Sequence, residues 1–333
     1  MKKNPPRFNP GKRAALARLL GLAATPALAP LSALAPSPAF AQTPNPESFR
    51  VGYQKGTAIL IVSRQRRDLE DKLRKTGIDK VDWIEFQFGP PMLEAITAQS
   101  IDIGSVGDTP PIFAQAGGGD IVYALTVPSS PHGIIVPDGS PIRALPDLKG
   151  KRVAFGKGSS AHNILLKALK IAGLSYNDIQ PTYLGPAEAT AAFTGGKIDA
   201  WVIWDPYYAL AEEQLGARVI ASTEQIPELA SNSFYIANRH FAQRHPAILR
   251  AALDSFIETI AWADKHRDEV AALAAKSTGL DLSIQKRAFA RAPLSYSEFT
   301  EAVLTEQQAT ADEFFKHRLI PKKIDIREIV WRG

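Results

Sequence analysis

Lys151-Arg152-Val153-Ala154-Phe155-Gly156-Lys157-Gly158-Ser159-Ser160-Ala161-His162-Asn163 is the stretch around which the rest of this chain can be ordered. It opens as a short strand, turns through two glycines and enters a helix. The helix is legible because Leu165, Ala168, Leu169 and Ala172 recur at one-face spacing and Gly173 stops it. Ser159 and Ser160 stand where an N-cap is expected, since a serine oxygen accepts from the free N–H groups of a first helical turn. The N–H groups left over, with the partial positive charge of the helix end, suit a small anion. Lys157 and His162 lie close enough in sequence to add charge or hydrogen bonds. The same residues also describe an ordinary capped turn with no ligand, so the choice falls to the rest of the chain.

The N-terminal segment is a separate matter. Lys2, Lys3, Arg7, Lys12, Arg13 and Arg18 form a basic region with no acidic residue, and an Ala- and Leu-rich stretch follows from about Leu16 to Leu34. Ala39-Phe40-Ala41 then presents small residues where a signal peptidase reads them, making Gln42 the expected new N-terminus. Pro26, Pro30 and Pro36 interrupt the apolar run, which argues for a cleaved leader over a membrane span. Lys12-Arg13 lacks the arginine pair of a twin-arginine signal. Without its six basic residues, the mature chain keeps 33 of the 39 Lys and Arg against 34 Asp and Glu. The basic character therefore belongs to the leader, and no basic tract remains to favour nucleic acid or a membrane surface. With no cysteine there is no disulfide, no thiolate nucleophile and no lipid-bearing cysteine after the leader. Export to a bacterial periplasm fits these features together.

From residue 42 the chain begins with a short tether to residue 48. Phe49–Tyr53 reads as a strand ending in the polar turn Gln54-Lys55-Gly56-Thr57, and Arg64–Lys75 as one charged helix stopped by Gly77. Val81–Phe88 reads as a strand, Met92–Gln99 as a helix, and Ile101–Gly107 as a buried strand opening into a loop at Asp108. A helix begins at Pro110-Pro111, and Ile121–Val127 is another strand. Strands and helices alternating at this spacing call for an α/β fold with mostly parallel pairing.

A short internal repeat adds to this. Phe88-Gly89-Pro90 and Ile101-Asp102 are echoed by Leu184-Gly185-Pro186 and Ile198-Asp199, and Asp108-Thr109-Pro110 by Asp205-Pro206-Tyr207. Two lobes of similar plan are expected: residues 49–136 as the first part of lobe 1, 137–232 as lobe 2, and 233–333 as a return strand with C-terminal helices. Gly133–Pro137 would leave the first lobe and Ser233–Ala237 would return. The chain from Pro246 is helical along one apolar face, and the tail from Pro293 to Ile320 is expected to continue so. Ligands of such sheets bind beyond the carboxyl ends of strands. The loops at residues 54–57, 107–109, 159–163 and 204–207 all follow strands and would meet across one cleft.

Leu145-Pro146-Asp147-Leu148-Lys149-Gly150-Lys151-Arg152-Val153-Ala154 resembles the domain-entry signature of periplasmic substrate-binding proteins of the nitrate/sulfonate/taurine class. Gly107-Asp108-Thr109-Pro110-Pro111 with Phe113-Ala114-Gln115-Ala116, and Asp199-Ala200-Trp201-Val202-Ile203-Trp204-Asp205-Pro206-Tyr207, look closest to the aliphatic-sulfonate binders. The resemblance runs from about Phe49 to Arg332. It implies a two-lobed, type II-like periplasmic binding protein with its cleft between lobes joined by two crossover strands. Such a protein closes on a small organic anion, an alkanesulfonate above all, and hands it to the permease of an ABC importer. It implies no cofactor and no metal, a monomer, and a binding role with no catalytic residues. Carried over by position, the cleft residues would be Gln54, Thr57, Asp108, Thr109, Ser159, Ser160, His162, Trp204 and Asp205.

A sulfonate is a permanent anion with three acceptor oxygens and no proton to give, so donors must satisfy it. The N–H groups after Ser159, the two hydroxyls, and Thr57, Gln54 and His162 are the candidates, with Trp204 as an apolar wall or else a core tryptophan. Asp108 and Asp205 would repel an anion, so they read as helix caps before Pro110 and Pro206, or as partners of a ligand amine, of His162 or of a lysine. The alternatives by resemblance are a fold-related enzyme of the desulfinase or thiamine-precursor type, or a binder of nitrate, phosphonate or an aromatic acid. The cysteine on which those enzymes rely is absent here. The leader carries its own test: N-terminal sequencing of the osmotic-shock fraction should begin at or near Gln42, and an intact Met1 in the membrane fraction would overturn the assignment.

Overall fold

The structure, a computed structural model, describes residues 45–333; the leader, its cleavage site and the start of the tether lie outside them. The first third of that span is β1 (Phe49–Tyr53), α1 (Ala58–Arg66), α2 (Asp68–Arg74), β2 (Val81–Glu85), α3 (Gly89–Thr97), β3 (Ile103–Gly107), α4 (Thr109–Ala116) and β4 (Ile121–Pro128). Next come β5 (His132–Pro137), β6 (Arg152–Phe155), α5 (Ser160–Ile171), β7 (Gln180–Tyr183), α6 (Pro186–Thr194), β8 (Ala200–Trp204), α7 (Tyr207–Gln214) and β9 (Ala217–Ser222). The chain finishes with β10 (Asn232–Asn238), α8 (Arg239–Arg244), α9 (Pro246–Lys265), α10 (Arg267–Thr278), α11 (Leu282–Arg291) and α12 (Glu301–Lys316). No helix among the described residues is long and apolar enough to cross a membrane.

Two five-stranded mixed sheets result, ordered β2-β1-β3-β10-β4 and β7-β6-β8-β5-β9. Position by position they follow one plan: three parallel strands, then an antiparallel strand delivered from the other half, then an edge strand. The apolar runs that read as buried strands are buried. Ile134, Ile135, Val136, Val202 and Ile203 sit in the second lobe's core, and Val51, Ile103 and Tyr235 in the first. Covering both faces of each sheet with helices is what such continuous apolar strands require.

Three expectations need correction. Arg64–Lys75 is not one helix: Arg67, at φ 62°, adopts a left-handed turn that separates α1 from α2. The break lets Leu69 and Leu73 reach the same core as Leu60, Ile61 and Val62, with α2 packed on α9. The first crossing precedes residue 137. The segment Gly133–Pro137 pairs with β8 and β9 and belongs wholly to the second sheet, so the chain crosses at Ser129–Pro131. The tail is extended, not helical, from Ala292 to Thr300: the N–H of Ser297 donates to the Thr126 carbonyl at 3.0 Å, tying it beside β4. Thr300 then accepts from the Val303 N–H and starts α12, whose Leu304, Ala311 and Phe314 complete the first lobe.

The internal repeat has a physical counterpart. Arg50, in β1, donates its backbone N–H, Nε and Nη2 to the Asp102 carboxylate at 2.7, 3.2 and 2.6 Å. Arg152, in β6, does the same to Asp199 at 2.8, 3.1 and 2.8 Å. In each lobe this fork locks the start of the first strand to the turn that launches the third. Asp102 is buried, whereas Asp199 keeps 31% of its side chain exposed. We expect Asp102→Ala to cost about 2–3 kcal/mol, because it strands donors that a charged acceptor satisfied. Asp199→Ala should cost less. Urea unfolding of the two variants checks this, and an equal or reversed ranking would mean the forks are not what holds these strands.

Candidate functional site

The two lobes meet along a cavity of about 130 Å³ that opens where the C-terminal ends of β1, β3 and β8 and the turn after β6 converge. The approach is close on both sides. A Cβ on Gly107, at the end of β3, would lie 2.6 Å from Ser160 Cβ; one on Gly56 would lie 2.8 Å from the Asp205 carbonyl and 3.2 Å from the Trp204 ring. Backbone therefore touches the opposing lobe at both points, and only glycine permits it.

Of the nine candidate residues, Gln54, Thr57, Ser159, Ser160 and Trp204 line the cavity; Asp108, Thr109, His162 and Asp205 do not. Gln54 and Thr57 form a self-contained turn. Thr57 Oγ1 accepts from the Gln54 N–H at 2.9 Å and donates to its carbonyl at 2.7 Å, and Gln54 Nε2 donates to Ser105 O. Ser159 begins α5 in extended conformation, but its hydroxyl donates to Gly156 O at 2.7 Å and caps no N–H of the helix. Among the described residues no acceptor is paired with the N–H of Ser160 or Ala161. Those two groups remain the free donors of the turn. Trp204 is both wall and core, 7% exposed and packed with the second lobe's interior.

His162 points away from the cavity into an aromatic nest. Its ring lies 4.8 Å from Phe155, 5.1 Å from Phe314 and 5.6 Å from Tyr176. Nδ1 accepts the Gly158 N–H at 3.3 Å. Burial, with Lys157 and His317 nearby, pushes its pKa down to about 3, so it brings no charge to an anion. The expectation of a His162 contribution is corrected on that ground.

The carboxylates bind across the lobes instead of to a ligand. Asp108 is buried and accepts from Asn163 Nδ2 at 2.5 Å and from Thr109 Oγ1 at 2.9 Å, which corrects the expectation that it caps its own helix. Burial raises its pKa to about 6 against the pull of the Asn163 bond. Thr109 is buried with it. Asp205 does accept the Ala209 N–H of α7 at 3.1 Å, as a cap would. Its main partner, though, is Arg291, whose Nε and Nη2 form a bidentate pair at 2.7 and 2.8 Å. Arg291 also reaches Glu212 at 2.9 Å and lies 3.8 Å over the Tyr208 ring. Burial opposes its charge, but the two carboxylates outweigh that and hold the guanidinium above its ordinary range. Asp205 thus pairs with an arginine more than 80 residues away, not with His162 or a lysine.

Two parts of the cavity have no counterpart among the candidate residues read from the sequence. Ser129, Ser130 and His132 enter it from the crossing between β4 and β5. His132 Nε2 lies 2.8 Å from Ser160 Oγ, and Nδ1 lies 2.7 Å from Ser130 O. The polar run Ser129-Ser130-Pro131-His132 between two apolar strands was the available signal. Phe289, Pro293 and Leu294, from α11 and the extended segment after it, add an apolar flank along with Ile59 and Ile260. Nothing local marks these as cleft residues. Among the described residues no Lys, Arg, Asp or Glu lines the cavity. Burial lowers the His132 pKa to about 4, assisted by Lys167 and opposed by the Ser130 carbonyl, so the cavity is uncharged at neutral pH. Among the described residues no group of three His, Asp or Glu is placed to hold a metal.

Two α/β lobes closed around a small uncharged cleft with a helix N-terminus at one end define a two-lobed periplasmic binding-protein architecture. The chain belongs to the NMT1-like family, whose profile matches residues 42–278. It is 45% identical over 86% of its length to a protein of Escherichia coli strain K12 named as an aliphatic sulfonates-binding protein, 90% of which is covered. Among solved structures, the alkanesulfonate-binding protein SsuA from Xanthomonas axonopodis pv. citri bound to MOPS superposes with a TM-score of 0.82 at 38% identity, covering 87% of this chain and 100% of that one. The periplasmic aliphatic sulphonate binding protein SsuA from Escherichia coli superposes at 0.77 and 43% identity, covering 87% and 93%.

The buried titratable groups imply a pH dependence whose sign can be worked out. His132 and His162 are held well below the unfolded histidine value of about 6.5, so their stabilising contribution is present above that value and is lost as pH falls toward 4. Asp108 acts oppositely: raised to about 6, it contributes below the unfolded value and loses that contribution as pH rises through 6. His245 is lowered by burial in the same sense and Asp205 is raised by burial in the opposite one, so between roughly pH 6 and 4 three histidines stand against two carboxyls. Stability should fall on acidification across that window, and the fall should be shallower in His162→Phe. A urea midpoint that holds steady down to about pH 4 would contradict the assigned protonation states.

Proposed function

We propose that this protein is the periplasmic capture component of an ABC importer and that it binds an aliphatic sulfonate by closure of its two lobes. In this reading residues 1–41 are the export leader, residues 42–48 the tether, and the mature protein is a monomer that delivers its ligand to the permease. The observation that carries the proposal is the composition of the cleft. Ser160, with its free N–H group and its hydroxyl, stands at one end beside Ser159, an apolar wall at the other, and among the described residues no Lys, Arg, Asp or Glu lines the cavity between them. The names and ligands of the most similar relatives point the same way.

The chemistry favours a monoanion. A helix N-terminus stabilises about half a charge, and without Lys or Arg in the cleft a phosphonate dianion would bring more charge than the site offsets. The apolar wall of Trp204, Phe289, Pro293 and Leu294 would face no atoms of a bare nitrate and would leave that surface unused. An alkyl sulfonate fills both ends. The protein acts by binding alone. A chain without cysteine has no thiolate for the desulfinating enzymes' chemistry, and the carboxylates nearest the cleft are committed to Asn163 and Arg291.

Calorimetry with alkanesulfonates from ethane- to hexanesulfonate tests this. Binding should tighten by roughly 0.8 kcal/mol for each methylene buried against the wall. Ser160→Ala should weaken every member of the series by about 1–3 kcal/mol, the worth of a charge-assisted hydrogen bond. Trp204→Phe should bind the longer members less tightly and lose most of the emission change on binding, despite the four other tryptophans. No binding of any member, or tighter binding of nitrate or phosphate, would take the proposal down.

A further inference from the structure

His132 stands beside the anion end of the cleft with both ring nitrogens engaged, and the tautomer follows from the partners. The Ser130 carbonyl, 2.7 Å from Nδ1, can only accept, so Nδ1 carries the proton. In the neutral ring Nε2 is then a bare acceptor, and the hydrogen bond at 2.8 Å runs from the Ser160 hydroxyl to it. Ser160 has one hydroxyl proton. While it points at His132, the Ser160 oxygen turns only lone pairs toward the cavity, the wrong polarity for a sulfonate oxygen. A second proton on the ring, at Nε2, reverses the bond: His132 donates to Ser160 Oγ, and the hydroxyl proton is free to donate to the ligand.

We propose that His132 takes up a proton as the anion binds, and that the His132–Ser160 relay thereby couples affinity for a sulfonate to pH and turns the Ser160 hydroxyl toward it. The inference rests on the binding reading above and adds to it a residue that acts through another. His132 is a positioning residue, and the ligand-facing donor is Ser160. The group behind Nδ1 is a neutral carbonyl, not the carboxylate that would hold an imidazolium ready-made, so the counter-charge has to come from the ligand. This favours an anion over a neutral isostere beyond what the N–H groups alone provide.

The surroundings fit a ring that is neutral when empty and chargeable when filled. His132 is 1% exposed, and burial keeps it neutral near pH 7. On α5, Lys167 opposes protonation, though it lies 3.7 Å from Glu306 of α12. Asp108, before α4, is committed to Asn163; Asp205, after β8, and Glu224, after β9, both face Arg291. Tyr235 of β10 lines the same cavity and stays protonated, since burial raises its pKa. No carboxylate thus competes with the ligand for the ring's new charge.

The test is calorimetry with butane-1-sulfonate in cacodylate and in imidazole buffer, neither of which carries a sulfonate group. At about pH 6.5 the apparent enthalpies should differ in proportion to the buffers' own ionisation enthalpies, reporting uptake of up to about one proton per ligand. Affinity should rise as pH falls from about 8 to 5.5, with a slope approaching about tenfold per pH unit. His132→Gln, whose amide can turn either its oxygen or its nitrogen to Ser160, should bind with no pH dependence and no proton uptake. Nitrogen-15 spectra of the histidine ring should show the Nδ1–H tautomer in the free protein and a doubly protonated ring in the complex. Tight binding with equal enthalpies in the two buffers and a flat pH profile overturns the relay and leaves the binding function standing. A pH dependence that survives in His132→Gln likewise overturns it. If no alkanesulfonate binds at any pH, the relay and the function it rests on fall together.

Discussion

Among the described residues, two backbone N–H groups at the start of α5, those of Ser160 and Ala161, find no acceptor, and Ser160 lies at the cavity between the lobes. A free donor in an enclosed, uncharged space costs free energy unless something accepts from it. At α8 and α12 a side chain, Asn238 or Thr300, accepts from the first turn. At α5 the nearest candidates are diverted: Ser159 donates backward to Gly156 O, and Ser160 is turned to His132. The turn is thus left short of acceptors where the other lobe closes over it, with Gly107 packed against Ser160. An anion is the simplest object that satisfies such a turn.

Closure itself is held by polar contacts away from the ligand. Asp108 of the first lobe meets Asn163 of the second, and Arg291, on a helix carried by α10, reaches Asp205 and Glu212 beside α7. Buried pairs of this kind contribute little net stability, because desolvation takes back most of the attraction. Their effect is on geometry: each is satisfied in this relative position of the lobes and would leave a buried group unpaired in many others. The same contacts explain how two carboxylates can sit within a few residues of the proposed anion site. Asn163 and Arg291 occupy them.

How much of this was legible depended on whether the cause was local. Strands such as Ile103–Gly107 and Ala200–Trp204, the turn at Ser159, and the repeat of Ile101-Asp102 in Ile198-Asp199 are written in consecutive residues. Whatever depended on a distant partner was not. That Gly133–Pro137 belongs to the second sheet follows from pairing with β8 and β9, strands far along the chain at Ala200–Trp204 and Ala217–Ser222. The inward turn of His162 is set by Phe155, Tyr176 and Phe314, three segments with no pattern in common. The wall at Phe289–Leu294 resembles an ordinary helix end until the tail is seen tied to Thr126. His132 is the instructive omission, since a lone histidine between two strands has no motif and acquires its partner only when α5 is brought against it.

The repeat also accounts for the difference between the lobes. Each has the same fork, Arg50 on Asp102 and Arg152 on Asp199, and each has an aspartate after its third strand, Asp108 and Asp205. One plan used twice would give a cleft with two like walls. It does not, because the turns after the first strands diverge. After β1, Gln54 and Thr57 hydrogen-bond to each other and Gln54 Nε2 donates to Ser105 O, which ties that turn to the end of β3. After β6, Gly156 and Gly158 keep the chain tight and bring Ser159 and Ser160, at the start of α5, to the cavity. The third strands diverge as well, one ending in Gly107 and the other in Trp204. A bare backbone on one side admits Ser160; an indole on the other turns Gly56 into its only tolerable neighbour. The polarity of the site, donors at one end and carbon at the other, is therefore built from the few positions at which the two halves of the repeat disagree.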